Sequence, residues 1–169
     1  MKKTIFVTYL FIYMKNLLFG FVLITILASC SSDVKFNNPA FQAEKQGVLW
    51  NASNYKATLA SNGYVTIIGF KDFETVTLRT NTIAPHTSTF GLTGVNFAEY
   101  DNRAVGFIGN YSTGYNGGNG QITITNYSEG TVSGNFKFNA VNTNPDLLTP
   151  DKINFKNGVF YKIPVSVAQ

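Results

Sequence analysis

Cysteine and histidine are each present once, as Cys30 and His86. One cysteine excludes a disulfide framework within the chain and a multi-cysteine zinc site. One histidine argues against a His-based metal site and against a catalytic triad. Charge is also scarce: 13% of the 169 residues are Asp, Glu, Lys or Arg, against about a quarter in an ordinary globular protein. Aromatic residues make up 15%, and this combination argues against disorder, which needs few aromatics and high charge. The length suits one domain with a short excess.

The excess lies at the front. Leu17 to Ala28 (LLFGFVLITILA) carries no charge, follows Met14-Lys15-Asn16 and precedes Ser29-Cys30. Twelve helical residues span about 18 Å, short of the roughly 30 Å hydrocarbon core of a bilayer. A basic start, a short apolar stretch and small residues after it make a secretory signal. Leu27-Ala28-Ser29-Cys30 matches the bacterial lipobox. That match implies cleavage between Ser29 and Cys30, with a diacylglycerol on the Cys30 thiol and an acyl group on the new amine. Met1 to Tyr13 is a second basic-then-apolar unit, so translation starts either at Met1 or at Met14.

Lys2, Lys3 and Lys15 leave with such a leader, and ten basic residues then face nine acidic ones. No basic cluster survives, which excludes a nucleic-acid footprint. The expected organisation is a signal peptide over 1–29, a lipidated tether over 30–45 and one β domain over 46–169. The expected partner is the membrane, through the lipid anchor, with an unidentified envelope protein as a further one.

After the tether, period-two runs dominate and helical periodicity is missing. Gly63–Phe70 and Thr75–Arg79 predict a hairpin across 71–74. Val95–Tyr100 and Arg103–Ile108 flank Asp101-Asn102, a good turn pair. In Thr131–Val141, one face holds Val132, Gly134, Phe136, Phe138 and Ala140. A three-residue loop at Ser128–Gly130 pairs Tyr127 with Thr131, Ile124 with Gly134 and Ile122 with Phe136, which keeps the apolar faces together. A straight reading from Ile153 onward predicts one strand of about twelve residues bulged at Gly158, with Val159, Tyr161, Ile163 and Val165 on the face of Phe155. The predicted fold is all-β: an antiparallel β-sandwich of about 8–10 strands, with a small closed β-barrel as the alternative.

The lipobox with Ser31-Ser32-Asp33, then Gly120–Thr125 (GQITIT), Gly130–Ala140 (GTVSGNFKFNA) and Asn157–Phe160 (NGVF), resembles small lipoproteins of the Bacteroidota, in the domain-of-unknown-function family numbered 6252. The resemblance runs from about Trp50 to the C-terminus and implies fold kinship. It brings no activity, cofactor or catalytic residue. In related lipoproteins, acidic residues just after the cysteine favour export to the cell surface. Here Asp33 is followed by Val34 and Lys35, which implies an outer-membrane lipoprotein facing the periplasm.

Catalytic chemistry finds little support. His86 lies in Ala84–Thr87, read as a surface loop. Asp72 with Glu74, and Glu99 with Asp101, are neighbours in or beside turns rather than carboxylates facing across a cleft. Asp146 and Asp151 lie in a loop without the EF-hand spacing of a calcium site. No nucleophile elbow, phosphate loop or HExxH zinc helix is present. No enzyme activity, cofactor or metal site is expected. The remaining candidates are aromatic: Tyr111 and Tyr115 in the loop Gly109–Gly120 (GNYSTGYNGGNG), and Trp50, the sole tryptophan. Exposed, these rings would stack on sugars; buried, they would leave a structural or accessory role.

Overall fold

The alternating runs become strands. The computed structural model describes residues 40–91, 94–114, 117–145 and 148–168. The expected signal peptide, the cleavage site Ser29-Cys30 and the tether up to residue 39 lie outside the described residues. Among those described there are eleven strands: β1 (Phe41–Lys45), β2 (Val48–Asn51), β3 (Asn54–Leu59), β4 (Val65–Lys71), β5 (Glu74–Thr80), β6 (His86–Phe90), β7 (Phe97–Asn102), β8 (Gly109–Ser112), β9 (Asn119–Ser128), β10 (Thr131–Asn142) and β11 (Lys152–Val167). All belong to one compact unit, Asn37–Gln169. Phe41–Lys45, assigned to the tether from sequence, is a core strand: Phe41 and Ala43 are buried.

The all-β class is as expected, in one mixed sheet ordered β2-β1-β11-β3-β4-β5-β7-β8-β10-β9-β6, with β11 also paired to β10. That extra pairing closes a hydrogen-bonded circuit of β11, β3, β4, β5, β7, β8 and β10. The β1–β2 and β9–β6 pairs branch from it. The halves face each other, because a Cβ on Gly69 of β4 would stand 2.8 Å from the Phe41 ring of β1. The fold thus combines barrel-like pairing with sandwich-like packing. One pairing, β11 with β3, is parallel. β1 runs antiparallel to β11 and β2 antiparallel to β1. Only Ala52-Ser53 separates β2 from β3, and the chain does not reverse there, so β3 inherits the direction of β11.

The interior is aromatic. Phe155 stacks on Phe138 at 4.7 Å and meets Tyr100 at 5.4 Å and Trp50 at 6.0 Å between centroids. Phe41 adds contacts to Trp50 at 5.9 Å and Phe136 at 5.3 Å. These rings occupy the space in which a barrel would hold an apolar ligand.

Several local expectations change. The β4–β5 hairpin forms, with Asp72-Phe73 as its turn and Asp72 in the left-handed region. Asp101-Asn102 does not turn: both residues stay in β7, and the reversal is the loop 103–108, with Asn102 opposite Gly109. In the β9–β10 hairpin Ile124 does oppose Gly134 and Ile122 does oppose Phe136, but Tyr127 faces Val132, and Ser128 faces Thr131. The turn is the two-residue Glu129-Gly130, both at positive φ, which suits the twist of the paired strands. An extra residue at Thr125, bulged out of the ladder, then restores the inward face.

β11 is one long strand, as expected, but its inward face switches twice. Ile153 and Phe155 point in, then Gly158 and Phe160, then Ile163. The register against β10 slips at both switches, and Asn157 and Lys162 sit there at φ 50° and 49°. Each inserts one extra residue, which moves every later side chain to the opposite face. Tyr161 is therefore exposed, and Phe160, read as outward, is fully buried.

Candidate functional site

Four turns meet at one mouth of the sheet: Gln46-Gly47, Asp72-Phe73, loop 103–108 and the β10–β11 connection. Arg103 N–H donates to the Phe73 carbonyl at 3.0 Å, which joins the second turn to the third. A cleft of about 170 Å³ opens among the others, lined by Lys45, Gln46, Tyr100, Phe107, Tyr111 and Thr149. Asn142, buried at the end of β10, donates to Thr149 Oγ1 at 3.0 Å and accepts from Asn144 N–H at 3.0 Å, which ties down the β10–β11 connection.

At the base of the cleft Lys45 donates to Glu74 Oε1 and, at 3.0 Å, to the Tyr100 hydroxyl. Trp50 Nε1–H donates to Glu74 Oε2. Burial by itself would raise the Glu74 carboxyl, yet the hydrogen bond and charge of Lys45, with help from Tyr100 and Trp50, hold it below the usual carboxylate range. Burial and the neighbouring Glu74 carboxylate push the Tyr100 phenol far above its ordinary value. Burial also raises Tyr111, against a hydrogen bond with Thr149 that pulls the other way. The group is thus an ionised pair flanked by two neutral phenols. Both carboxylate oxygens are taken, so Glu74 joins β1, β2 and β7 to β5 rather than waiting for a substrate proton.

Removing that charge has a testable consequence. Because the folded pKa of Glu74 is depressed, its stabilisation is present above the ordinary value of 4.5 and is lost as pH falls through the folded value. Glu74→Gln is expected to cost about 1–2 kcal/mol at pH 7, as a partly exposed, hydrogen-bonded pair suggests. In urea unfolding the gap to the parent should narrow as pH is taken below 4.5. A gap that does not change with pH would show that the charge is not what stabilises.

The sequence candidates are placed as follows. Trp50 is 1% exposed and Tyr111 3%. Neither offers a ring face to a sugar, so their candidacy as ligand-binding rings gives way to the buried alternative: Trp50 is turned inward by its indole bond to Glu74, and Tyr111 packs on Tyr100 at 5.7 Å. Part of the expected loop Gly109–Gly120 is strand, which carries Tyr111 into the core. Tyr115, Asp146, Ser29 and Cys30 lie outside the described residues. His86 begins β6 rather than lying in a loop, with Nε2 2.9 Å from Thr80 Oγ1 and Nδ1 2.6 Å from the Ala84 carbonyl. Glu99 and Asp101 share a face of β7; burial, then the Asp101 charge, raises Glu99, while Asp101 accepts from Asn110 at 2.5 Å. Among the described residues no group of three or more His, Cys, Asp or Glu could hold a metal ion. Sequence reasoning missed Lys45 and Tyr100; the signal for Lys45 was the alternation of Phe41 and Ala43 just before it.

Residues 37–164 match the domain of unknown function DUF6252. The chain belongs to the DUF6252 family. No curated protein and no solved structure matches it. The DUF6252 match begins before Phe41, as expected if β1 belongs to the fold and not to a tether. It takes in the whole Lys45–Glu74–Tyr100–Trp50 cluster and both switch points of β11.

Proposed function

We propose that this chain is a lipid-anchored lipoprotein of the cell envelope, held in the outer membrane by acyl chains on Cys30 and facing the periplasm. Its β domain serves as a non-enzymatic structural or accessory module for a larger envelope assembly. The observation that carries the anchor is Leu27-Ala28-Ser29-Cys30 at the end of a short apolar leader. The accessory role is supported by the self-satisfied cluster at Glu74 and by the commitment of Trp50 and Tyr111 to the core. The same placements weigh against a glycan-binding module built on those two rings. The packed phenylalanines weigh against an apolar ligand inside the barrel.

Cys30→Ala tests the anchor. The parent is expected to incorporate labelled palmitate and to fractionate with the outer membrane; the variant should lose the label and leave that fraction. A parent that takes up no label defeats the lipoprotein assignment. Protease treatment of intact cells tests the leaflet: a periplasmic domain survives until the outer membrane is opened.

A further inference from the structure

The mouth that holds the cleft also carries most of the exposed apolar surface. Eleven large apolar side chains are exposed among the described residues, and seven of them sit on or beside these four turns. Val48, Phe73, Val105, Phe107, Ile108 and Leu148 are each at least 62% exposed. The turns adjoin: Phe73 through its carbonyl and Arg103, and Gln46, Phe107 and Thr149 around one cleft. Folding gives no reason for two phenylalanines, an isoleucine and a leucine to face water together, and apolar exposure concentrated at one end marks an interaction surface.

From these placements we infer that the mouth seats on the surface of the bilayer into which Cys30 is acylated, with the turn side chains dipping into the interfacial region. The occupant follows from the length of chain between anchor and fold. Nine residues lie between Cys30 and Ala40, and the ten Cα-to-Cα steps span at most about 35 Å. Lys45, at the mouth, lies five residues beyond Ala40, along a strand of about 17 Å. The chain can therefore run back past β1 and bring the acyl chains and the mouth to one plane. A tether this short also keeps the mouth close to lipid continuously, so that a weak apolar insertion is favoured by local concentration. Several acyl chains on Cys30 already hold the protein on the membrane, so the apolar turns serve to orient the domain there. The inference rests on the lipoprotein assignment and adds the orientation of the domain on its membrane.

The test uses the full chain, purified in its membrane-derived form and reconstituted into vesicles of phosphatidylethanolamine and phosphatidylglycerol. Phe107→Cys places an environment-sensitive fluorophore at the mouth, and Lys137→Cys, on the outer face of β10, is the control. Lipids brominated along the acyl chain act as quenchers, and mass spectrometry reads the acylation of Cys30. The expected result is an acylated chain whose Phe107 probe is quenched at least threefold more than the Lys137 probe. In both labelled chains, adding Val105→Asp with Phe73→Asp should reduce that ratio to near one while the domain unfolds at an unchanged urea concentration. An acylated chain whose two probes are quenched equally overturns the inference and leaves the anchor standing. Protection of the Phe107 probe that appears only at high protein density, without quenching by brominated lipid, overturns it in favour of a second copy of this chain. A chain that lacks the acyl mass overturns the lipoprotein assignment and this inference with it.

Discussion

Gly134→Ala is expected to destabilise the domain by about 3 kcal/mol or more, at the upper end of what overpacking costs. Gly134 lies in the middle of β10, between β9 and β11. A Cβ there would stand 2.1 Å from the Thr123 carbonyl oxygen and 2.4 Å from Cζ of Phe160. Neither neighbour can give way. The carbonyl belongs to the β9 backbone, just before the bulge at Thr125. Phe160 is fully buried and is held in place by the second switch in β11. Two of the three register irregularities of β10 fall at this point, between Ser133 and Gly134 against β9 and between Val132 and Gly134 against β11. The measurement is the urea midpoint against Gly91→Ala, a position with open space around its Cβ direction and no positive φ, expected to stay within about 0.5 kcal/mol of the parent. A Gly134→Ala protein as stable as the Gly91 control would show that β9 and β11 are not drawn in over this residue.

Phe155→Ala is expected to cost about 3–5 kcal/mol, the usual loss for a buried phenylalanine. The ring joins Phe138 of β10, Trp50 of β2 and Tyr100 of β7. Those partners are anchored in separate strands, and two of them also belong to the Glu74 hydrogen-bonded group. The cavity left behind therefore cannot collapse by the shift of one element, which places the cost in the upper part of the range. Trp50 is the sole tryptophan, so its emission reports the site directly. A red shift in the folded variant is expected as the indole loses its edge contact. A loss below about 1.5 kcal/mol would place the site among those that repack easily.

The sequence was most legible where a strand has one buried face and a short turn beside it. In β9 and β10 the alternation of Ile122, Ile124, Phe136 and Phe138 named the inward side chains and two of the cross-strand pairs, although the turn itself is shorter and Thr125 makes up the difference. In β4 and β5 the pattern located the hairpin to within a residue or two. Legibility failed where apolar residues stand on both parities. In β11, Val159 and Tyr161 alternate with Phe160, and nothing local decides between them. The choice was settled by the pairing with β10, where Gly134 stands opposite Phe160 and leaves room for its ring. Legibility also failed at the candidate site. Lys45 and Glu74 are 29 residues apart and Lys45 and Tyr100 are 55 apart, so no spacing rule brings them together. Trp50 and Tyr111 were singled out for their chemistry, but side-chain identity does not say on which side of a sheet a ring falls.

By itself, the sequence determined an all-β chain with an aromatic core and the inward faces of its β4–β5 and β9–β10 hairpins. These follow from residue type and short-range periodicity, which act through backbone geometry and the burial of apolar surface. The tertiary structure alone decided the closure of the sheet, the parallel meeting of β11 with β3, the two face switches in β11, the Glu74 cluster and the gathering of apolar turns at one mouth. Each depends on which distant strands become neighbours, which no local pattern of residue types specifies.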